Sequence, residues 1–172
     1  LCLAPTLASD LSRRPDLLDG LIDATALRLP PEIDAIAERL RHDDPDADLE
    51  QRLDKVRREV GEMRFALGVQ IVEGTSDPVD VAAGYARVAE AAIRVVADAV
   101  KAEYEATHGR VPDSELIILA LGRMGGAELT HASDLDLIYL FSGDFGAESD
   151  GRKPLGAVHY YNRLGQRVTA GL

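Results

Sequence analysis

Residues 116–141 read Leu-Ile-Ile-Leu-Ala-Leu-Gly-Arg-Met-Gly-Gly-Ala-Glu-Leu-Thr-His-Ala-Ser-Asp-Leu-Asp-Leu-Ile-Tyr-Leu-Phe. Two apolar runs, Leu116 to Leu121 and Leu135 to Phe141, flank a glycine pair and two closely spaced carboxylates. Each run has strand length and is bounded by glycine or polar residues, so both read as buried strands. Alternate side chains of a strand share a face, which puts Asp134 and Asp136 on one side, about 6.6 Å apart along the chain. Ile138 and Leu140 continue that face, while Leu135, Leu137, Tyr139 and Phe141 take the other.

Two ionised carboxylates so close to a core favour protonation, hydration or a bound cation. A hard divalent cation fits the pair best, because Mg²⁺ is commonly held by one or two carboxylates together with waters and substrate phosphates. Asp134 and Asp136 are therefore the candidate metal ligands and catalytic carboxylates. Upstream, Gly125 and Gly126 lack a Cβ, so they can adopt positive φ and bring amide groups close to phosphate oxygens. Ser133 offers a hydroxyl and Arg123 a positive charge. The same residues also have plainer readings, Gly-Gly as an ordinary turn and Ser-Asp as a local side-chain-to-backbone hydrogen bond. Their combination at this spacing is what favours a nucleotide site.

The run Leu121-Gly-Arg-Met-Gly-Gly-Ala-Glu-Leu-Thr-His-Ala-Ser-Asp-Leu-Asp-Leu-Ile138 resembles the signature of glutamine synthetase adenylyltransferases, members of the DNA polymerase β-like nucleotidyltransferase superfamily. Further family-like stretches are Arg13-Arg14-Pro15-Asp16-Leu17-Leu18-Asp19, the helix around Arg64-Phe65, and Tyr160-Tyr161-x-Arg163-Leu164-x-Gln166-Arg167, so the likeness covers nearly the whole chain. It implies an α+β, mostly helical fold, in which amino-terminal helices (residues 1–110) precede a partial polymerase β-like core (residues 111–172). It also implies two related halves in the intact enzyme, one transferring AMP from ATP to a tyrosine of glutamine synthetase and the other removing it by phosphorolysis. Glu128-Leu-Thr-x-x-Ser-Asp-Leu-Asp136 is more similar to the transferase half, and the adenylyl-removing half is the alternative.

On this resemblance Asp134 and Asp136 bind Mg²⁺, Gly125, Gly126 and Ser133 hold the triphosphate of ATP, and Arg123 offsets its charge. Position 123 is commonly Lys in the family, so Arg there keeps the charge but alters donor geometry. A third carboxylate, which in the superfamily completes the metal site and helps activate the tyrosine hydroxyl, has no counterpart before Leu172, and the chain reads as a fragment of the enzyme. Glutamine synthetase and the PII signalling protein are the implied partners. A reading from another class makes the isolated helices a non-catalytic docking module for these partners. A third takes Asp-Leu-Asp as a glycosyltransferase metal motif, against which the upstream glycines stand.

The rest of the sequence bounds these readings. A chain of 172 residues with 46% hydrophobic and 28% charged residues has the composition of a globular protein with a real core. A net charge of −11 opposes a nucleic-acid surface, which needs a concentrated basic patch. There is no initiating Met, no signal-peptide pattern and no apolar run of membrane-spanning length, so a cytoplasmic location is expected and no membrane partner. Cys2 cannot form an internal disulfide, and His42, His108, His131 and His159 lack the spacing of a zinc site. The acidic run from Asp43 to Asp48 reads as a solvated loop.

Short helices are expected from Ala4 to about Arg41, with boundaries near Ser9-Asp10-Leu11, Pro15 and Pro30-Pro31. Asp48 should cap a helix of about six turns whose apolar stripe is Leu49, Leu53, Val56, Val60, Met63, Leu67 and Ile71. Phe65 lies off that stripe, and Arg57, Arg58 and Arg64 read as a solvated face with phosphate contact as the rarer alternative. Asp77 and Pro78 should start the next helix, striped by Val81, Tyr85, Val88, Ala92, Val95 and Ala99 and packed antiparallel to the first. After the strands, a mobile loop from Ser142 to Pro154 and a helix with Val158, Tyr161, Leu164 and Val168 on its apolar face complete the reading.

Overall fold

The caps foreseen in the sequence start the two long helices. Asp48 accepts the amide of Gln51 at 2.9 Å while the Gln51 side chain accepts the amide of Asp48, also at 2.9 Å, a reciprocal box that opens α3 (Leu49–Glu73). Asp77 accepts the Val79 amide at 2.8 Å, and Pro78 begins α4 (Pro78–His108). Before them come α1 (Pro5–Arg13), a 3₁₀ turn (Pro15–Leu18) and α2 (Ile33–Leu40). After them come β1 (Glu115–Ala120), a single helical turn α5 (Gly122–Gly125), β2 (Leu137–Ser142) and α6 (Ala157–Gly171). The structure, a computed structural model, describes residues 4–18, 21, 28–41 and 44–172. The readings made for Cys2, His42 and Asp43 lie outside the described residues. The fold is α+β and mostly helical.

Helix α4 is the axis of the molecule. Its 31 residues span about 46 Å, and burial of Val81, Val88, Ala91, Ile93, Val96, Val100 and Tyr104 shows that apolar side chains leave it on more than one face. Helices α2, α3 and α6 pack against it. Tyr85 reaches back to Arg64 and Gly84 lies against Leu67, while Leu53 and Val56 share a cleft wall with Val95 and Val96, so α3 and α4 run antiparallel as expected. One hydrophobic cluster runs from α2, α3 and α4 through the core face of the strands to α6. The Tyr104 and Tyr160 rings meet edge to face at 5.0 Å, and Phe141 stacks on Tyr161 at 4.6 Å, which joins helices and strands.

A smaller cluster of Leu7, Leu17 and Phe65 fastens α1 and the 3₁₀ turn to the back of α3. Phe65 lies off the predicted stripe because α3 is buried on both sides over Phe65-Ala66-Leu67-Gly68. Ile71, expected in the stripe, is 44% exposed. The buried place at this level is taken by Gln70, whose side-chain amide donates to Arg28 O and whose oxygen accepts the Ser76 hydroxyl. Likewise α6 buries Ala157 and Tyr160 with Tyr161, Leu164 and Val168, and leaves Val158 at the surface. No boundary forms at Ser9-Asp10-Leu11, since α1 runs through it to Arg13.

The strands pair antiparallel, Leu116 opposite Phe141 and Ala120 opposite Leu137. They were expected to be buried, yet only one face is. Leu116, Ile118 and Ala120 with Leu137, Tyr139 and Phe141 pack on the helices, while Leu119, Ile138 and Leu140 stand out to solvent, 42–48% exposed. The Ser142–Pro154 loop is not free. Amides of Asp150, Gly151 and Lys153 donate to carbonyls of Arg110, His108 and Thr107, and the Asp150 carboxylate accepts the Arg110 amide at 2.7 Å. The carbonyls left open where α4 ends recruit the loop as their hydrogen-bonding partner.

Candidate functional site

Strand β1 ends at Ala120, and the chain turns back at once through α5. The Gly125 amide donates to Leu121 O at 2.9 Å and the Gly126 amide to Gly122 O at 3.1 Å, which closes the turn. Met124 and, beyond the turn, Leu129 are buried in the main core and hold the segment on either side. The left-handed residues are Gly122, with φ of 54°, and Ala127, with φ of 55°. The glycine pair was expected to supply positive φ, but Gly126 has φ of −85° and Gly125 sits in the helical turn. A Cβ on Gly125 would come within 2.7 Å of the Ala120 carbonyl oxygen, so that glycine lets the turn fold back on the strand.

Gly122 is the residue the sequence reading passed over. It lies under the Asp136 carboxylate, and a Cβ there would stand 2.5 Å from Oδ2. A glycine at the start of a helical turn carries no signal of what lies across the sheet from it. Asp136 itself sits one step ahead of β2, its carbonyl accepting the Leu121 amide at 2.8 Å, and Asp134 lies two residues earlier, so neither aspartate falls within the strand, which begins at Leu137 and not at Leu135. Both carboxylates are exposed, and among the described residues neither makes a hydrogen bond or ion pair. Such oxygen donors fit a hydrated Mg²⁺, which keeps several waters. Among the described residues no three His, Cys, Asp or Glu side chains are grouped for a metal.

Ser133 accepts the Thr130 amide at 3.0 Å and bonds the Thr130 hydroxyl at 2.8 Å, so it organises the loop locally. The Arg123 Nε donates to Glu128 O at 3.1 Å across the same loop. His131 is pinned from three elements: Nε2 lies 2.7 Å from the Asp10 carboxylate, Nδ1 3.3 Å from the Tyr85 hydroxyl, and its carbonyl accepts Arg64 Nη2 at 2.6 Å. Burial pushes the Tyr85 phenol well above its usual range, so it stays a neutral hydrogen-bonding group here, donating to Arg64 O at 3.0 Å. Arg57 is paired with Glu50 and Asp54, and Arg58 lies 3.9 Å from Glu59. Arg64, by contrast, turns away from solvent to the motif loop. A cleft of about 960 Å³ opens on the core side of the turn, with Met124 and Gly125 in its wall, but its Arg41 and Arg94 are matched by Glu38, Glu90 and Asp34.

The geometry thus sets the unpartnered Asp136 carboxylate beside a tight glycine turn, with Asp134 two residues before it in a loop fastened to the helices. Comparison with known proteins gives that arrangement a context. The sequence profile of the family described as glutamate-ammonia ligase adenylyltransferase matches residues 1–172. Among curated relatives, bifunctional glutamine synthetase adenylyltransferase/adenylyl-removing enzymes are 37% identical in Mesorhizobium japonicum and 39% in Brucella suis, each over 98% of this chain and 17% of the relative. One from Xanthobacter autotrophicus is 37% identical over 100% of this chain and 18% of its own length. The chain therefore spans less than a fifth of the relatives it matches. Among the described residues no helix is long and apolar enough to cross a membrane. With the profile match running from end to end, the chain belongs to the glutamate-ammonia ligase adenylyltransferase family.

Proposed function

We propose that this chain carries the metal- and nucleotide-binding part of a nucleotidyl-transfer site, and that within the intact enzyme it serves transfer of AMP from ATP to a tyrosine of glutamine synthetase. The observation that carries the reading is that Asp134 and Asp136 are exposed and without partners just ahead of β2, with the Asp136 carboxylate against Gly122 in the turn that follows β1. Asp134 and Asp136 hold Mg²⁺, whose chemistry is to stabilise developing charge on phosphate oxygens during displacement. Gly125 and Gly126 keep side chains away from the phosphates. Arg123 supplies positive charge from the outer side of the turn, and Ser133 keeps the loop in shape through Thr130.

The preference for transfer over adenylyl removal rests on the form Glu128-Leu-Thr-x-x-Ser-Asp-Leu-Asp136, which resembles the transferase half. A cytoplasmic setting, and PII as a regulator acting through the helices, complete the proposal. Calorimetric titration with ATP and Mg²⁺ tests it. Binding by the natural chain that disappears in Asp134→Asn/Asp136→Asn supports the reading, while equal binding by both defeats it. In the intact enzyme Asp136→Asn should abolish AMP transfer and leave the fold unchanged.

A further inference from the structure

In a chain of net charge −11, three arginines converge on one cleft. Arg13, Arg14 and Arg64 line a space of about 560 Å³ between α1, α3 and the motif loop, with Asp10 as the one carboxylate in its wall among the described residues. Several arginines elsewhere are neutralised nearby: Arg39, Arg57, Arg94 and Arg110 each have a carboxylate within 3.2 Å. Arg13 has none, and among the described residues its guanidinium makes no hydrogen bond or ion pair. Arg14 meets Asp16 through Nη2 at 2.9 Å, and its Nη1 lies over Gly61. Arg64 gives one N–H to His131 O and keeps the rest of its fork. Asp10 is already engaged with His131. Thr6 and Ser9 add exposed hydroxyls to the same wall.

We propose that this cleft is a second ligand site, one that binds a small oxyanion bearing a phosphate or carboxylate group. Planar guanidinium groups match such oxygens two at a time, and an unpaired excess of them beside hydroxyl donors is the chemistry an oxyanion selects. The site is distinct from the carboxylate pair, since neither Asp134 nor Asp136 lines it. Its occupant touches His131 and Ala132, which run directly into Ser133 and Asp134. An anion bound here therefore bears on the loop that delivers the carboxylates.

The test is independent of nucleotidyl transfer. The 172-residue chain is titrated calorimetrically, at fixed ionic strength with a chelator present, with inorganic phosphate in one arm and malonate in the other. Saturable binding of one equivalent is expected in at least one arm, and the arm that binds names the anion class. Arg13→Gln should weaken it about tenfold or more, the loss of one charge-assisted contact, without changing the melting temperature. Arg152→Gln, which removes an exposed arginine outside the cleft, and Asp134→Asn/Asp136→Asn should leave it intact. No saturable binding in either arm, undiminished binding in Arg13→Gln, or an equal loss in Arg152→Gln would overturn the proposal.

Discussion

Gly122→Ala is the substitution that most directly joins backbone conformation to the carboxylate pair. At φ of 54° an alanine carries left-handed strain of about 1–2 kcal/mol, partly offset by about 0.4–1 kcal/mol from a stiffer unfolded chain. The backbone term alone is thus a loss on the order of 1 kcal/mol, or roughly 0.3–1 M in urea midpoint. The new Cβ also stands 2.5 Å from Asp136 Oδ2, where contact normally begins near 3.4 Å, so the carboxylate must move by about 0.9 Å. A shift of that size spoils a shared metal geometry, and Mg²⁺ affinity should fall at least tenfold, about 1.4 kcal/mol. Gly126→Ala is the control, since its Cβ would meet nothing nearer than 3.7 Å and its φ is −85°. Urea unfolding and competition of Mg²⁺ against Mn²⁺, followed by paramagnetic relaxation of water, read the two effects. If Gly122→Ala binds metal as the natural chain does, or Gly126→Ala loses as much, the Gly122–Asp136 contact does not position the site.

Two further substitutions probe the scaffold. Phe65→Ala empties the small cluster with Leu7 and Leu17 and should cost about 3–5 kcal/mol, with protection of α1 amides from hydrogen exchange lost first; unchanged α1 protection would refute the role given to Phe65. Burial, then repulsion from Glu59, raises the Glu62 carboxyl above its ordinary range, against weaker opposition from Arg39, Arg58 and Arg14. A raised folded value means that Glu62 favours folding below the ordinary glutamate range, near pH 4.3, and that this contribution disappears as pH rises through the folded value. Glu62→Gln should therefore raise the melting temperature at neutral pH, with the difference shrinking in acid, and a gap constant across that range would contradict the sign.

What the sequence by itself determined is local. Asp48 with Gln51, Asp77 with Pro78, and the apolar stripe of α4 mark where helices start and which side they bury, because capping and periodicity act within a few residues. The two strands and Asp-Leu-Asp were legible for the same reason. The second cluster around Phe65, the anchoring of the 142–154 loop on the end of α4, and the bare face of the sheet were not, since each depends on segments far apart in the chain. The same division runs through the site. Residue types and spacing single out Asp134 and Asp136, but that Gly122 is the glycine beneath Asp136, and that Arg64, Tyr85 and Asp10 together hold His131, only the tertiary structure decided. Steric exclusion and hydrogen bonding act through space, and the folded chain alone brings those atoms within reach.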